Sequence, residues 1–398
     1  MPSSPRTSMS VDAPYTAWRS GGTGGDVLML ARQLTCTTKG SIGALFEHLQ
    51  PPPRLVHLVL ARPSGCSAAP LFAPPGRLKC YDEARVLPVS KEALARLYER
   101  MPDSPELPAS NRAARRRLRD PSRVGWYFQQ FVKLGFPLFN RISPDFLIWD
   151  ADAVLIQPFA PIGPGGELRL VTGGYSNMPQ YDATFRTLFN ATLQYSPDRT
   201  SLVTHHALVH TPWLIELVAR LSLGRACAGE AQCAAAARDP QRWMTAVLRA
   251  TRGLKSFSEY AFYLSWQLLR HADELRGVAY LGRDECGVYA APLPPGQSLK
   301  CHRRPARAFC RNPLLTESTI CPGAYRELYR FERERALSGG SVLFVNFETH
   351  AWGKDPLENA TGAQLAAEID AREAAHVRQA SGPQQSRVLK RPRPCTPW

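Results

Sequence analysis

The sequence predicts an α/β fold with a mostly parallel sheet, and three observations support this class. Strand-like and helix-like segments alternate along the chain. The apolar runs 26–31 and 55–60 flank a helix-like segment from Ser41 to Leu49, which is a strand–helix–strand unit. Hydrophobic residues make up 44% and charged residues 21% of the 398 residues, as in globular proteins. We therefore expect a disordered leader (1–25), one large domain (26–357), and a C-terminal helix with a basic Pro/Arg-rich tail (358–398).

Further elements are predicted where apolar residues recur at helix or strand spacing. A helix begins after Ser90, whose hydroxyl suits the N-cap position. Another covers 125–136 and leads into the apolar run 146–149. Helices follow at 211–221, with a Thr cap and Pro at the first position, and at 256–271. Strands are predicted at 167–171, 202–210 and 341–346, so strands and helices continue to alternate.

Two carboxylates, Asp150 and Asp152, interrupt the apolar run 146–156. An acid at the end of a buried strand is costly unless a partner neutralises it, and hard divalent cations prefer oxygen ligands. Side chains two residues apart on an extended chain share a face, roughly 6.5 Å apart along the strand. One Asp can then hold a cation directly and the other directly or through water. Such an ion could neutralise a diphosphate, so the pair points to a nucleotide-diphosphate substrate.

Several other polar residues are candidates for the same site. Lys133 lies on the helix before Asp150, and the chain should bring it near the end of that strand, within reach of a phosphate. His205 and His206 are adjacent in a predicted strand, so one could face the cleft and the other the core. Glu259 either closes a capping box with Ser256 or acts as a general base or sugar-hydroxyl partner.

The segment 350–354 follows the last predicted strand and carries three further candidates. His350 could complete the shell of a cation bound to the two Asp residues. Gly353 would permit close backbone approach to a phosphate, and Lys354 would add positive charge. The alternative is that His350 is an ordinary surface residue.

Four blocks occur in this order along the chain: Gly-Trp-Tyr-Phe-Gln-Gln at 125–130, Asp-Ala-Asp at 150–152, His-His at 205–206 and Ser-Glu-Tyr at 258–260. Together they resemble a little-characterised glycosyltransferase-like family of the GT-A type, over about residues 26–290. That resemblance implies a single Rossmann-like nucleotide-sugar-binding domain with a mixed, mostly parallel sheet and flanking helices. A weaker likeness to glycogenin-type transferases rests on Lys133 and on 350–354, where the spacing between Gly353 and Lys354 departs from the family's motif.

The resemblance also implies roles for these residues in a hexosyltransferase-like enzyme. Manganese or magnesium would be held by Asp150, Asp152 and His350. The donor would be contacted by Lys133, Gln130, Gly353 and Lys354, and the acceptor side would be lined by Glu259 and His206. The partners would be a nucleotide-sugar donor and a glycan, protein or lipid acceptor.

Two other functions stay open on sequence alone. A haloacid-dehalogenase-type phosphatase would use Asp150 as its nucleophile, although such enzymes place the motif near the start of the domain and follow it with Thr. A non-catalytic relative would bind a nucleotide sugar or glycan without turnover.

Charge and cysteine content limit the remaining classes. The net charge of +15 is concentrated in 112–119, 300–304 and 378–394, which are typical of solvated faces or tails, so we expect no nucleic-acid partner. No apolar run has transmembrane length. The ten cysteines contain no Cys-x-x-Cys pair, and both disulfides and free thiols stay open. The chain as written is expected to be cytoplasmic, or in the secretory-pathway lumen if its N-terminus is incomplete.

Overall fold

The computed structural model describes residues 14–19, 24–99, 121–172, 178–197, 199–251 and 256–283, the backbone of 288–290 and 342–346, and four helical residues between 364 and 371. The strands of these regions are β1 (Asp26–Ala31), β2 (Leu55–Leu60), β3 (Leu78–Asp82), β4 (Asp145–Asp150), β5 (Ala153–Leu155), β6 (Leu168–Thr172), β7 (His206–His210), β8 (Val278–Arg283), β9 (Val288–Ala290) and β10 (Val342–Asn346). The α-helices are α1 (Cys36–His48), α2 (Lys91–Glu99), α3 (Pro121–Phe139), α4 (Pro179–Phe189), α5 (Thr211–Leu223), α6 (Glu230–Ala237), α7 (Pro240–Thr251) and α8 (Glu259–Arg270).

The central sheet has five strands in the order β3-β2-β1-β4-β7. Strands β3, β2, β1 and β4 run parallel, and β7 is antiparallel to β4. Val27, Leu28 and Met29 of β1 are all fully buried, as expected for a parallel strand covered by helices on both faces. The predicted α/β class with a mixed, mostly parallel, Rossmann-like sheet is confirmed, and so are the predicted bounds of β1 and β2.

The order of the strands reverses between β1 and β4. The chain goes from β1 to β2 and β3 on one side, and then returns to place β4 on the other side of β1. Leu30 of β1 pairs with Asp150, the last residue of β4. In open α/β sheets, ligands bind in the crevice outside the carboxyl ends of the strands at such a reversal. The fold therefore places Asp150 where a ligand site is expected.

Aromatic packing fixes the position of helix α3. Its residues Tyr127, Phe128 and Phe131 are at most 1% exposed, and burial of each such side chain contributes about 1.5–3 kcal/mol. Phe131 meets Trp243 of α7 edge to face, with ring centroids 5.3 Å apart. This packing determines where the next turn of α3, which carries Lys133, lies relative to β4.

Three predicted elements need correction. Residues 14–19 do not behave as a disordered leader, because Tyr15 and Trp18 are buried and the Trp18 indole donates to the Asp145 carbonyl at 3.3 Å. Strand β4 ends at Asp150, and residues 151–152 form a turn, so Asp150 and Asp152 are not two positions of one extended strand. The strand predicted at 202–210 is confined to 206–210.

Helix boundaries also differ from the predicted ones. Helix α1 begins at Cys36 rather than Ser41, since the Thr35 hydroxyl caps it by accepting from the Thr38 amide. Helix α5 has His210, not Thr211, at its N-cap position. The boundary predicted between residues 357 and 358 lies outside the described residues and stays a prediction.

A buried ionic cluster at the start of β1 gives the fold a testable pH dependence. Burial raises the pKa of Asp26, but hydrogen bonds from His57, Arg54 and the Ser143 backbone outweigh burial and lower the pKa to about 2. Because the folded pKa lies below the unfolded value of about 4, the cluster stabilises the protein above about pH 4 and loses this effect as the pH falls to about 2. The contribution is about 2–3 kcal/mol.

We expect the difference in unfolding free energy between the parent and Asp26→Asn to shrink as the pH falls from about 4 to about 2. Equilibrium urea unfolding at several pH values measures it. The same difference at every pH would contradict the assignment.

Disulfides crosslink the described part of the chain. Cys66 pairs with Cys80, Cys227 pairs with Cys233, and Cys36 is also disulfide-bonded. Every cysteine among the described residues is therefore oxidised. In the same regions, no helix is both long and apolar enough to cross a membrane.

Candidate functional site

Asp150 is the centre of a polar cluster at the carboxyl end of β4. Its Oδ1 accepts from the Lys133 ammonium at 2.7 Å and from the Tyr260 hydroxyl at 2.5 Å. Its Oδ2 lies 3.0 Å from Nδ1 of His205. Burial raises the pKa of Asp150, but Lys133 and His205 lower it more, so it stays well below its usual range. Asp150 is therefore held as a carboxylate.

Lys133 lies between two carboxylates, as a buried cation. It is 8% exposed and donates to Asp150, to Oε1 of Glu259 at 2.6 Å and to the Tyr260 hydroxyl at 3.0 Å. Burial lowers the pKa of Lys133, but the two carboxylates raise it well above its usual range. The prediction that α3 brings Lys133 to the end of β4 is confirmed. A contact with a donor phosphate stays a prediction, since the three ammonium protons already have acceptors here.

Glu259 is the first residue of α8, and its side chain is almost completely buried. The helix is capped by Ser258, which accepts from the Ala261 amide at 3.4 Å, so the predicted capping box with Ser256 is wrong. Instead Glu259 pairs with Lys133. Burial raises the pKa of Glu259, and Lys133 opposes this. Its Oε2 is buried and has no hydrogen-bond partner among the described residues.

Gln130 supports this end of α8. Its Oε1 accepts from the Glu259 amide at 2.9 Å, and thereby satisfies one of the backbone donors that a helix start leaves unpaired. Gln130 and Lys133 lie three residues apart, so they share a face of α3. The structure thus places Gln130 as a support for Glu259, while its predicted contact with the donor stays untested.

Asp150, Asp152 and His205 form a group that could hold a metal ion. One potential ligand atom from each residue lies within 4.8 Å of the others. All three residues are partly exposed. Two carboxylates and an imidazole form a mixed oxygen and nitrogen set that suits a divalent cation. The structure supports a divalent site at Asp150 and Asp152, and adds His205, which the sequence did not single out as a ligand.

The two adjacent histidines have different surroundings. His206 is 1% exposed and lies against Trp149 and Phe159, with ring centroids 5.7 and 5.3 Å away. Burial lowers the pKa of His206 to about 3, so its ring stays neutral at physiological pH. His205 faces Asp150 instead. The expectation that the two side chains face different sides is confirmed, although His205 lies just before β7. The structure places His206, the predicted acceptor-side residue, in the core.

Three predicted residues cannot be placed. His350, Gly353 and Lys354 lie outside the described residues, so their roles in metal and phosphate binding stay predictions.

Substituting each histidine separately tests the difference between them. We expect His205→Ala to weaken divalent-ion binding about 10–100-fold, by analogy with groups that orient metal ligands, while the fold is kept. His206→Ala should instead cost about 2–4 kcal/mol of unfolding free energy by leaving a cavity beside Trp149. Manganese titration and urea unfolding of both variants measure the two effects, and the opposite pattern would contradict the placement of these side chains.

Comparison with known proteins gives little beyond the geometry. No family model matches this chain, and no curated protein sequence is significantly similar to it. Among solved structures, one match is the crystal structure of mouse xyloside xylosyltransferase 1 in its apo form, at 11% sequence identity and a TM-score of 0.30. The match covers 64% of this chain and 85% of that chain. A likeness this distant assigns neither an activity nor a substrate.

Proposed function

We propose that this protein is a metal-dependent glycosyltransferase of the GT-A type, which moves a sugar from a nucleotide-diphosphate sugar to an acceptor. The observation that carries the proposal is the group Asp150, Asp152 and His205 at the carboxyl end of β4. This group lies at the strand-order reversal, where α/β sheets bind their ligands. The resemblance of the four sequence blocks to a glycosyltransferase-like family supports the same class.

Manganese or magnesium, when bound by these residues, would stabilise the negative charge that develops on the leaving diphosphate. The protein's own contribution is to fix the ligands in place. Lys133 and Tyr260 both hold Oδ1 of Asp150, and His205 lies beside Oδ2. A ligand that is already oriented loses little entropy when the cation and the donor bind.

Glu259 is proposed to orient Lys133 rather than to act as a general base. Its Oε1 is 2.6 Å from the Lys133 ammonium, and the residue is 1% exposed. A base must reach the proton that it removes, and an acceptor hydroxyl does not easily reach so buried a group. The other role predicted for Glu259, acceptance of a hydrogen bond from a sugar hydroxyl, would need the same access to its buried Oε2 and stays a prediction.

The contacts of Asp150 favour a transferase over a phosphatase. A phosphatase nucleophile needs a carboxylate oxygen directed at phosphorus. In this protein Oδ1 already accepts two hydrogen bonds and Oδ2 lies beside His205. These contacts fit a residue that is held in a fixed position better than one that attacks a substrate.

An assay of nucleoside-diphosphate release tests the proposal. The protein is incubated with a panel of nucleotide sugars, with manganese or with a chelator, and with glycan, protein and lipid acceptors. We expect release that depends on the metal and on one donor, together with a glycosylated acceptor. Donor binding without turnover would indicate a binding protein, and phosphate release from a phosphomonoester would indicate a phosphatase. Either result would overturn the proposal.

A further inference from the structure

Helix α4 ends in a conformation that exposes a candidate modification site. Asn190 caps the helix in the left-handed conformation, with φ 54° and ψ 39°, and its amide donates to the Arg186 carbonyl at 2.8 Å. Asn190, Ala191 and Thr192 form the Asn-x-Thr sequence that accepts N-linked glycans. The acceptor sequence therefore lies at a turn that leaves the helix, outside regular secondary structure.

The geometry of this turn suits an attached glycan. Asn190 and Thr192 are both exposed, whereas Ala191 between them is half-buried. The Asn190 side chain makes no hydrogen bond to the residues that the structure describes, so its amide can be modified without breaking a contact. The chain after the turn is held by two bonds: the Leu193 amide donates to Asp182 and the Gln194 amide to Ser265, both at 3.0 Å.

The disulfides are an independent observation that points the same way. All five cysteines in the described part of the chain are disulfide-bonded: Cys36, Cys66, Cys80, Cys227 and Cys233. Disulfides persist in oxidising compartments such as the ER lumen and are rare in the cytosol. N-linked glycans are a feature of secreted proteins, so the chain that forms these disulfides also meets the machinery that modifies its acceptor sequence.

From these two observations we infer that Asn190 carries an N-linked glycan, acquired in the oxidising compartment in which the disulfides form. In the transfer, the Asn190 side-chain nitrogen forms a bond to the anomeric carbon of a lipid-diphosphate oligosaccharide. The carbon–oxygen bond to the diphosphate breaks, and the amide nitrogen loses one proton to solvent. The lipid diphosphate departs with the electron pair of the broken bond.

The glycan lies away from the metal group. Phe189, next to Asn190, packs on Trp266 with ring centroids 5.3 Å apart. Trp266 is separated from Glu259 by seven residues of α8, or roughly 10 Å along the helix axis. The attachment point is therefore about two turns of α8 away from Glu259, and the presence of the glycan does not depend on the proposed transferase activity.

The experiment uses the full chain, directed into the secretory pathway of a eukaryotic cell line by a cleavable signal peptide. Total protein, both secreted and retained, is treated with peptide N-glycosidase in ¹⁸O water, and residue 190 is read by mass spectrometry. We expect ¹⁸O-labelled Asp at this position in the parent and in Thr192→Ser, which keeps the acceptor sequence. Thr192→Ala and Asn190→Gln should lose one glycan in gel mobility and bind manganese like the parent.

The mass of residue 190 itself is measured, so a glycan elsewhere in the chain does not affect the result. Alkylation without reductant is carried out on the same samples and should leave the five disulfide-bonded cysteines unmodified. An unmodified Asn190 in the parent protein, or the same mobility in the parent and Thr192→Ala, would overturn the inference. Alkylation of Cys66 and Cys80 in the parent would also overturn it, because the chain would then not mature where this disulfide forms.

Discussion

Replacing Lys133 by methionine is expected to lower the free energy of unfolding by about 3–5 kcal/mol, the range found when one partner of a buried ion pair is removed. Lys133 is 8% exposed, and its ammonium lies 2.7 Å from Asp150 and 2.6 Å from Glu259. Methionine fills a similar volume but leaves both carboxylates without their shared cation. Equilibrium urea unfolding of the parent and the variant measures the difference.

A double-mutant cycle shows whether the loss comes from charge. In Lys133→Met/Glu259→Gln, a neutral amide replaces one of the two uncompensated carboxylates. The double variant should therefore lose less unfolding free energy than the sum of the losses in the two single variants. Strict additivity, or a loss below about 1 kcal/mol for Lys133→Met, the usual size for an exposed pair, would show that the cluster is not a buried ionic unit.

Replacing Asp152 by alanine is expected to weaken manganese binding by about 100-fold, since loss of a group that only orients a metal ligand already costs about 10–100-fold and Asp152 offers the cation a carboxylate of its own. Asp152 belongs to the metal group but is partly exposed in the turn after β4. Its loss should therefore remove metal-dependent donor binding and leave the fold intact. Isothermal titration with manganese, and then with nucleotide sugars in its presence, measures both effects.

Asp273→Ala is the matched control for this substitution, because Asp273 is an exposed acid in a helical turn outside the metal group. It removes the same charge from the protein and should bind manganese like the parent. If Asp152→Ala bound manganese and donor as tightly as Asp273→Ala does, the assignment of the metal group would be wrong.

Local pattern was enough to predict the frame of the fold. Alternating apolar and polar segments gave β1 and β2 with their correct bounds, because parallel strands are continuous apolar runs. The position of Lys133 near Asp150 also followed, since a helix that precedes a parallel strand runs antiparallel to it, so residues before the last turns of the helix lie level with the strand's carboxyl end. These predictions depend on neighbours in the sequence or on the general topology of α/β units.

Contacts between distant segments could not be predicted in the same way. The Lys133–Glu259 pair joins residues 126 positions apart, and local spacing suggested a capping box for Glu259 instead. His205 enters the metal group because β7 pairs antiparallel with β4, so the residue before β7 lies beside the end of β4. From the sequence alone, either of the two adjacent histidines could have faced the cleft. The burial of Tyr15 and Trp18 was not predicted, because the residues around them are mostly polar and resemble a disordered segment.

The metal group is tested most directly by anomalous diffraction from crystals soaked with manganese and a nucleoside diphosphate. We expect one strong manganese peak bonded to side chains from the group Asp150, Asp152 and His205, with oxygens of the diphosphate on its open side. Crystals of Asp152→Ala should lack this peak. Manganese bound only elsewhere, or a diphosphate that binds away from the carboxyl end of β4, would contradict the proposed transferase site.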